Sequence, residues 1–184
     1  MNSKKNNVNP KLQKLALTAV LSAQAIVLSF AESLIPISTV LPPGAKIGLA
    51  NIVTMFAVIS GGFFSALTVT ILKSLFILII SGPMAFTMSI SGGIVSLVVM
   101  TLIFKLPKNP FGIIGVSIIA AVSHNFAQLL VSVFITHTKA LFWTYSPALL
   151  IFGIIAGILT GLLLNFSMPL LKKQEKYFGS KTKV

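Results

Sequence analysis

The chain has 184 residues, of which 55% are hydrophobic, with 14 basic side chains against two acidic ones. All the basic residues are Lys; Asp, Arg and Cys are absent, and the acids are Glu32 and Glu175. Lack of cysteine excludes disulfides, thiolate catalysis and Cys-bound zinc. The net charge of +12 sits in tails and loops beside bilayer-length apolar runs, which fits lysines held against anionic lipid rather than a basic nucleic-acid groove.

Residues 1–13 are polar and basic, with Lys4, Lys5 and Lys11, and form an expected cytoplasmic arm. The first apolar segment runs Lys14–Ile35 and stops at Pro36. Its start resembles a signal peptide, with Ala23-Gln24-Ala25 as a small-x-small site, but the apolar pattern continues past that site to Leu34, so an uncleaved anchor is expected. Residues 36–46 contain three prolines and a glycine and form a loop. The second segment, Ile47–Ser60, is short for a span and ends at Gly61-Gly62. The third runs Phe63–Ile80 and ends at Ser81-Gly82-Pro83; the fourth runs Met84–Phe104. Lys105 to Pro110 is a basic turn. The fifth segment is Phe111–Ile135, followed by a loop with His137, Lys139, Trp143 and Tyr145, whose aromatics suit an interfacial belt. The sixth runs Pro147–Leu171. The tail, 172–184, carries Lys172, Lys173, Lys176, Lys181 and Lys183.

This pattern predicts an all-α polytopic membrane protein: a six-transmembrane-helix bundle over 14–171 with both termini cytoplasmic. With six spans, eleven lysines fall inside, only Lys46 and Lys139 fall outside, and Lys73 lies within a helix. Five or seven spans would break that separation, and lysine bias sets orientation.

Ionisable and amide groups inside a membrane are costly, so each is a functional candidate. The candidates for substrate binding are Glu32, Lys46, Asn51, Lys73, Ser91, His124, Asn125 and Gln128. The expected topology puts them at mid-depth or in the outward half. His124, Asn125 and Gln128 occupy one face of a helix, with Ala120 and Ala121 beside them; Thr70, Lys73, Ser74 and Ser81 share an arc of another. A cavity open to the outside would gather these groups. The competing structural explanation is that Lys73 pairs with Glu32 while His124 and Asn125 make interhelical hydrogen bonds. If Glu32 takes one lysine, another Lys or a His is left to face an anionic ligand. Two small-residue stripes stand out as well. Ala16, Ala19 and Ala23 line the first helix, suited equally to internal packing or to docking another membrane protein. Gly153, Gly157 and Gly161 recur every fourth residue on the sixth, where internal packing is the better explanation.

The stretch Pro42-Pro-Gly-Ala-Lys-Ile-Gly-Leu-Ala-Asn-Ile-Val-Thr54 resembles the signature of the bacterial Gx transporter family, also described as heptaprenyl diphosphate synthase component I. Ser91-Gly-Gly-Ile-Val-Ser96 and Ser123-His-Asn-Phe-Ala-Gln128 are similar to further blocks of it. That family in turn resembles the substrate-binding S components of energy-coupling-factor transporters. The resemblance implies a six-helix protein of the bacterial cytoplasmic membrane that captures a solute from outside. It also implies docking through helix-one alanines, here Ala19 and Ala23, onto a transmembrane coupling subunit driven by ATPases.

Three functions compete. A solute-binding transport protein needs an outward polar pocket and a docking stripe, and takes its ATP hydrolysis from partners because the chain has no phosphate-cradling loop. A heptaprenyl diphosphate synthase subunit would need clustered carboxylates for magnesium; with no Asp and two distant Glu, only a non-catalytic accessory role is open. An ion-coupled carrier would use Glu32, Lys73 and His124 as a relay. The first is the expected one: a non-enzymatic binder of a small organic solute, with no catalytic residues, cofactor, metal or nucleic-acid partner.

Overall fold

The computed structural model of the protein describes residues 9–34, 48–106 and 111–177, the side chains of 175–177 excepted. It is all helical: α1 (Pro10–Ser33), α2 (Leu49–Phe104), α3 (Gly112–Thr136) and α4 (Ala140–Tyr177), with no strand among the described residues. Each is long and apolar enough to cross a membrane, with mean hydropathies of 1.7, 2.3, 1.8 and 2.4 in that order. The chain is a multi-pass membrane protein.

The start of α1 is set locally. Asn9 caps it by accepting the Lys11 backbone N–H at 3.0 Å on its side-chain oxygen, and Pro10 takes the first turn, where its missing N–H costs nothing. The helix therefore begins four residues before Lys14 and absorbs the end of the expected basic arm. Residues 1–8, the 36–46 loop with Lys46, positions 107–110 and the tail beyond 177 lie outside the described residues.

Unbroken, the 56 residues of α2 would extend about 84 Å at 1.5 Å per residue, nearly three times a bilayer's hydrocarbon core. They do not run straight. Gly62 (φ 76°, ψ −175°) and Gly82 (φ 82°, ψ 179°) leave helical geometry for a region that only glycine enters without strain. Pro83 follows the second break, at a helix-starting position where its fixed φ helps. The contacts show what the breaks accomplish. Lys73 meets Asn51, residues equally far from Gly62. Ser74 meets Ser89 and Thr70 faces Gly93, both pairs centred between Ser81 and Gly82. The stretches 49–61, 63–81 and 83–104 thus fold back on one another, close to the divisions expected from Gly61-Gly62 and Ser81-Gly82-Pro83.

α3 and α4 form an antiparallel pair. Gly153 lies against Val122, Gly157 against Ile118 and Gly161 against Ile114. A Cβ at Gly157 would fall 2.4 Å from the Ile118 Cα, so the two backbones touch where small residues permit it. The glycine stripe is internal packing, as expected. One expectation fails. The segment after His137 is not a loop up to Pro147: His137 ends α3 in a left-handed conformation (φ 53°), and α4 starts at Ala140, with Trp143, Tyr145 and Pro147 inside it. Pro147 removes the bond to the carbonyl of Trp143, four residues back; Trp143 is exposed, so that carbonyl is not sealed in the core.

The apolar core joins α1 through Leu17, Leu21 and Ala25 to Phe56, Val69 and Leu97 of α2, Val116 of α3 and Leu164 of α4. Polar side chains sit within the bundle beside it.

Candidate functional site

The breaks in α2 and the pairing of its stretches with α1 and α3 bring polar side chains from distant sequence positions into one belt. At one end, the buried Glu32 near the end of α1 accepts the Gly48 backbone N–H at the N-terminus of α2. A carboxylate there is favoured because the first amides of a helix are unpaired and its dipole is positive at that end. Gly48 adopts φ 82°, and its carbonyl accepts the Asn51 N–H at 2.8 Å. One turn into the helix, the Asn51 side-chain oxygen accepts from Lys73 Nζ at 3.1 Å. Lys73 is 4% exposed, so its ammonium is held by protein groups. The adjacent Ser74 shares a hydrogen bond of 3.2 Å with Ser89. One turn beyond Ser89, Gly92 receives the His124 ring and the Gln128 chain: a Cβ on it would lie 2.8 Å from His124 Cε1 and 3.0 Å from Gln128 Cγ. On the other flank of α3, Asn125 donates to the Leu149 carbonyl of α4 at 3.4 Å, and its amide sits 3.3 Å from where Gly153 would carry a Cβ.

Of the eight expected binding residues, six are placed in or beside this belt: Glu32, Asn51, Lys73, His124, Asn125 and Gln128, all but Asn51 buried. Ser91 is not joined to it; it is half-buried and its hydroxyl donates back to the Met88 carbonyl of its own helix. Ser89 stands in its place, with Ser74 and Gly92. Alternation along the helix is the signal that separates the two serines: they lie about 200° apart around the axis, so only one can face the neighbouring stretch. Lys46 lies outside the described residues.

Beside Asn51 is a small cavity of about 20 Å³, lined also by Met55, Met100, Ser117, Ala120 and Thr160, room for one water. A much larger open groove, about 690 Å³, runs between α1, the start of α2 and the later half of α4. Its walls are Val20, Ala23, Val27, Ile52, Leu163 and Leu170 among others. The Gln24 amide crosses it to donate to Gln174 at 3.2 Å. Ala19 and Ala23 are exposed on α1 and Ala16 is half-buried, so none of the described helices covers Ala19 or Ala23. No group of three or more His, Cys, Asp or Glu among the described residues could hold a metal ion.

The model of a family described as heptaprenyl diphosphate synthase component I matches residues 21–167. No curated protein matches the sequence. A solved structure of the S component of a bacterial ECF transporter aligns with a TM-score of 0.70 at 21% identity, covering 89% of this chain and 97% of that one. The two share a fold.

Proposed function

The chain belongs to the heptaprenyl diphosphate synthase component I family, and from that membership, the shared fold and the polar belt we propose that it is the solute-binding component of a membrane transporter. The three stretches of α2 act as three spans and bring the total to six. Both termini then lie on the cytoplasmic face of the bacterial membrane, where lysine bias places them. Glu32, Asn51, Lys73, His124, Asn125 and Gln128 form the wall of a site that takes a small organic solute from outside, and Lys46 is proposed to join them on the grounds of sequence alone. Two lysines against one carboxylate among these side chains favour a solute with an anionic group. No cofactor or metal takes part.

The observation that carries this proposal is the run of buried polar side chains through otherwise apolar helices. Each such group costs free energy in a bilayer, and interhelical bonds of this kind contribute only about 0.6 kcal/mol on average. A belt of them is poorly explained as scaffolding alone. Energy would come from partners: the exposed Ala19 and Ala23 offer a close-packing surface to a coupling subunit bearing ATPases, the kind of assembly an ECF S component serves.

The family description favours a second role, as a non-catalytic membrane partner of a prenyl diphosphate synthase. The chemistry of the chain gives it no catalytic part there, because magnesium and diphosphate call for clustered carboxylates and the sequence has two Glu and no Asp.

The test is mass spectrometry on gently purified protein. Wild type should release a defined small molecule on denaturation, in near-equal amount to the protein, and the Lys73→Ala, Asn125→Ala double variant should release far less while remaining inserted in the membrane. Equal release from both would remove the belt from the site; a synthase subunit copurifying in place of any solute would favour the second role.

A further inference from the structure

Gln128 is 2% exposed, and neither its side-chain N–H groups nor its carbonyl oxygen has a hydrogen-bond partner among the described residues. Its surroundings make that unusual. Asn51 is paired with Lys73, Ser74 with Ser89 and Asn125 with the Leu149 carbonyl, so each of these polar side chains of the belt has a partner within the protein. A buried polar group left unmade costs about 1–3 kcal/mol, and nearly all such groups in native proteins find a partner. An amide idle on both its atoms therefore points to something that occupies it in the working protein.

The chemistry of this amide selects its partner. The Gln128 amide offers N–H and C=O side by side in one plane. A carboxylate can accept from the N–H but leaves the carbonyl unmet; an ammonium does the reverse. A partner that carries its own adjacent N–H and C=O, as a lactam, an imide or a primary amide does, satisfies both with two parallel bonds. The seat is fixed by packing: Gln128 Cγ and the His124 ring both rest on Gly92, where any side chain would clash. We propose that Gln128 is a specificity-determining residue that reads a lactam- or amide-type edge of the transported solute. This rests on the solute-binding function above and names the chemical class of its ligand.

The experiment passes a water-soluble metabolite extract over immobilised wild-type protein and over Gln128→Leu and Gln128→Met variants, then elutes and identifies what is bound. Leu and Met are close in size to Gln and leave no polar atom unmet, so both variants should insert and melt at or above the wild-type midpoint, which a thermal scan checks. Wild type should capture a molecule bearing an adjacent N–H and C=O, and both variants should recover about a hundredfold less of it, since a site built for such a group discriminates strongly when the bonds are lost. If wild type captures nothing, the solute-binding function itself fails. Capture of the same molecule by the variants at the wild-type level would mean that Gln128 is satisfied by a buried water, overturning the assignment alone. Capture of a molecule without that edge would overturn it equally.

Discussion

Two stripes of small residues in this chain have opposite fates. On α4, Gly153, Gly157 and Gly161 are pressed against Val122, Ile118 and Ile114 of α3, close enough that a Cβ at Gly157 would sit 2.4 Å from a backbone atom. On α1, Ala19 and Ala23 are exposed, and Ala23 borders an open groove of about 690 Å³. Both stripes have the four-residue spacing that lets helices approach. The difference is that the first is closed by the protein itself and the second is left open by the described helices. Small residues in a membrane helix identify a face that can be packed closely, and the neighbouring helix decides whether the packing is internal or remains available to a partner.

The sharpest way to break this comparison is to fill the closed seam. Gly157→Leu must force α3 and α4 apart or unwind one of them, because the atom it meets is backbone and cannot rotate away. Overpacking of a tight core typically costs 1–3 kcal/mol, and with a backbone contact we expect a loss of about 3 kcal/mol, seen as a large drop in the thermal midpoint in detergent. A midpoint within a degree or two of wild type would mean that the seam is not as tight as the contacts show.

How far the sequence revealed these features depended on the kind of signal. The breaks in α2 were legible because Gly61-Gly62 and Ser81-Gly82-Pro83 punctuate an apolar run too long for one span. The start of α4 was not, because Pro147 resembles a helix start and the aromatic run before it resembles a loop; the helix accepts that proline because the carbonyl it frees is at an exposed residue. In the belt, Lys73, Asn51 and Gln128 were legible from cost alone, since their groups are expensive anywhere in an apolar helix. The choice of Ser89 over Ser91 depends on helix rotation about a neighbour, which residue type does not encode. Whether an amide has a partner is also invisible in sequence. The two small-residue stripes are alike in spacing, and only the fold tells them apart.

A milder probe acts on the open side. Gln24 and Gln174 bridge the groove between α1 and α4 at 3.2 Å. Few other contacts between these two helices support it, since the main partner of α1 is α2. Gln24→Leu should therefore lower stability by about 0.6 kcal/mol, the typical worth of an interhelical bond in a membrane, read as a small shift in the same thermal scan. A loss as large as that of Gly157→Leu would show that α1 is fastened to α4 as firmly as α3 is, and the contrast between the two stripes would disappear.

The smallest effect on folding, and the most informative, belongs to Ala19→Leu combined with Ala23→Leu. Both positions are exposed and Ala23 borders the open groove, so larger apolar side chains there have room without displacing the core, and the expected change in stability is less than about 0.5 kcal/mol, the usual range for surface substitutions. The same pair of changes would raise two bulges on the face proposed to meet a coupling subunit, where close approach depends on having little side chain. Folding and partner binding should therefore separate: an unchanged thermal midpoint together with lost copurification of the coupling subunit. A fall in the midpoint would show that the stripe is packed internally like the glycine seam. Retention of the complex at full yield would place the partner on another face, and α1's open stripe would then be a lipid-facing surface with no recognition role.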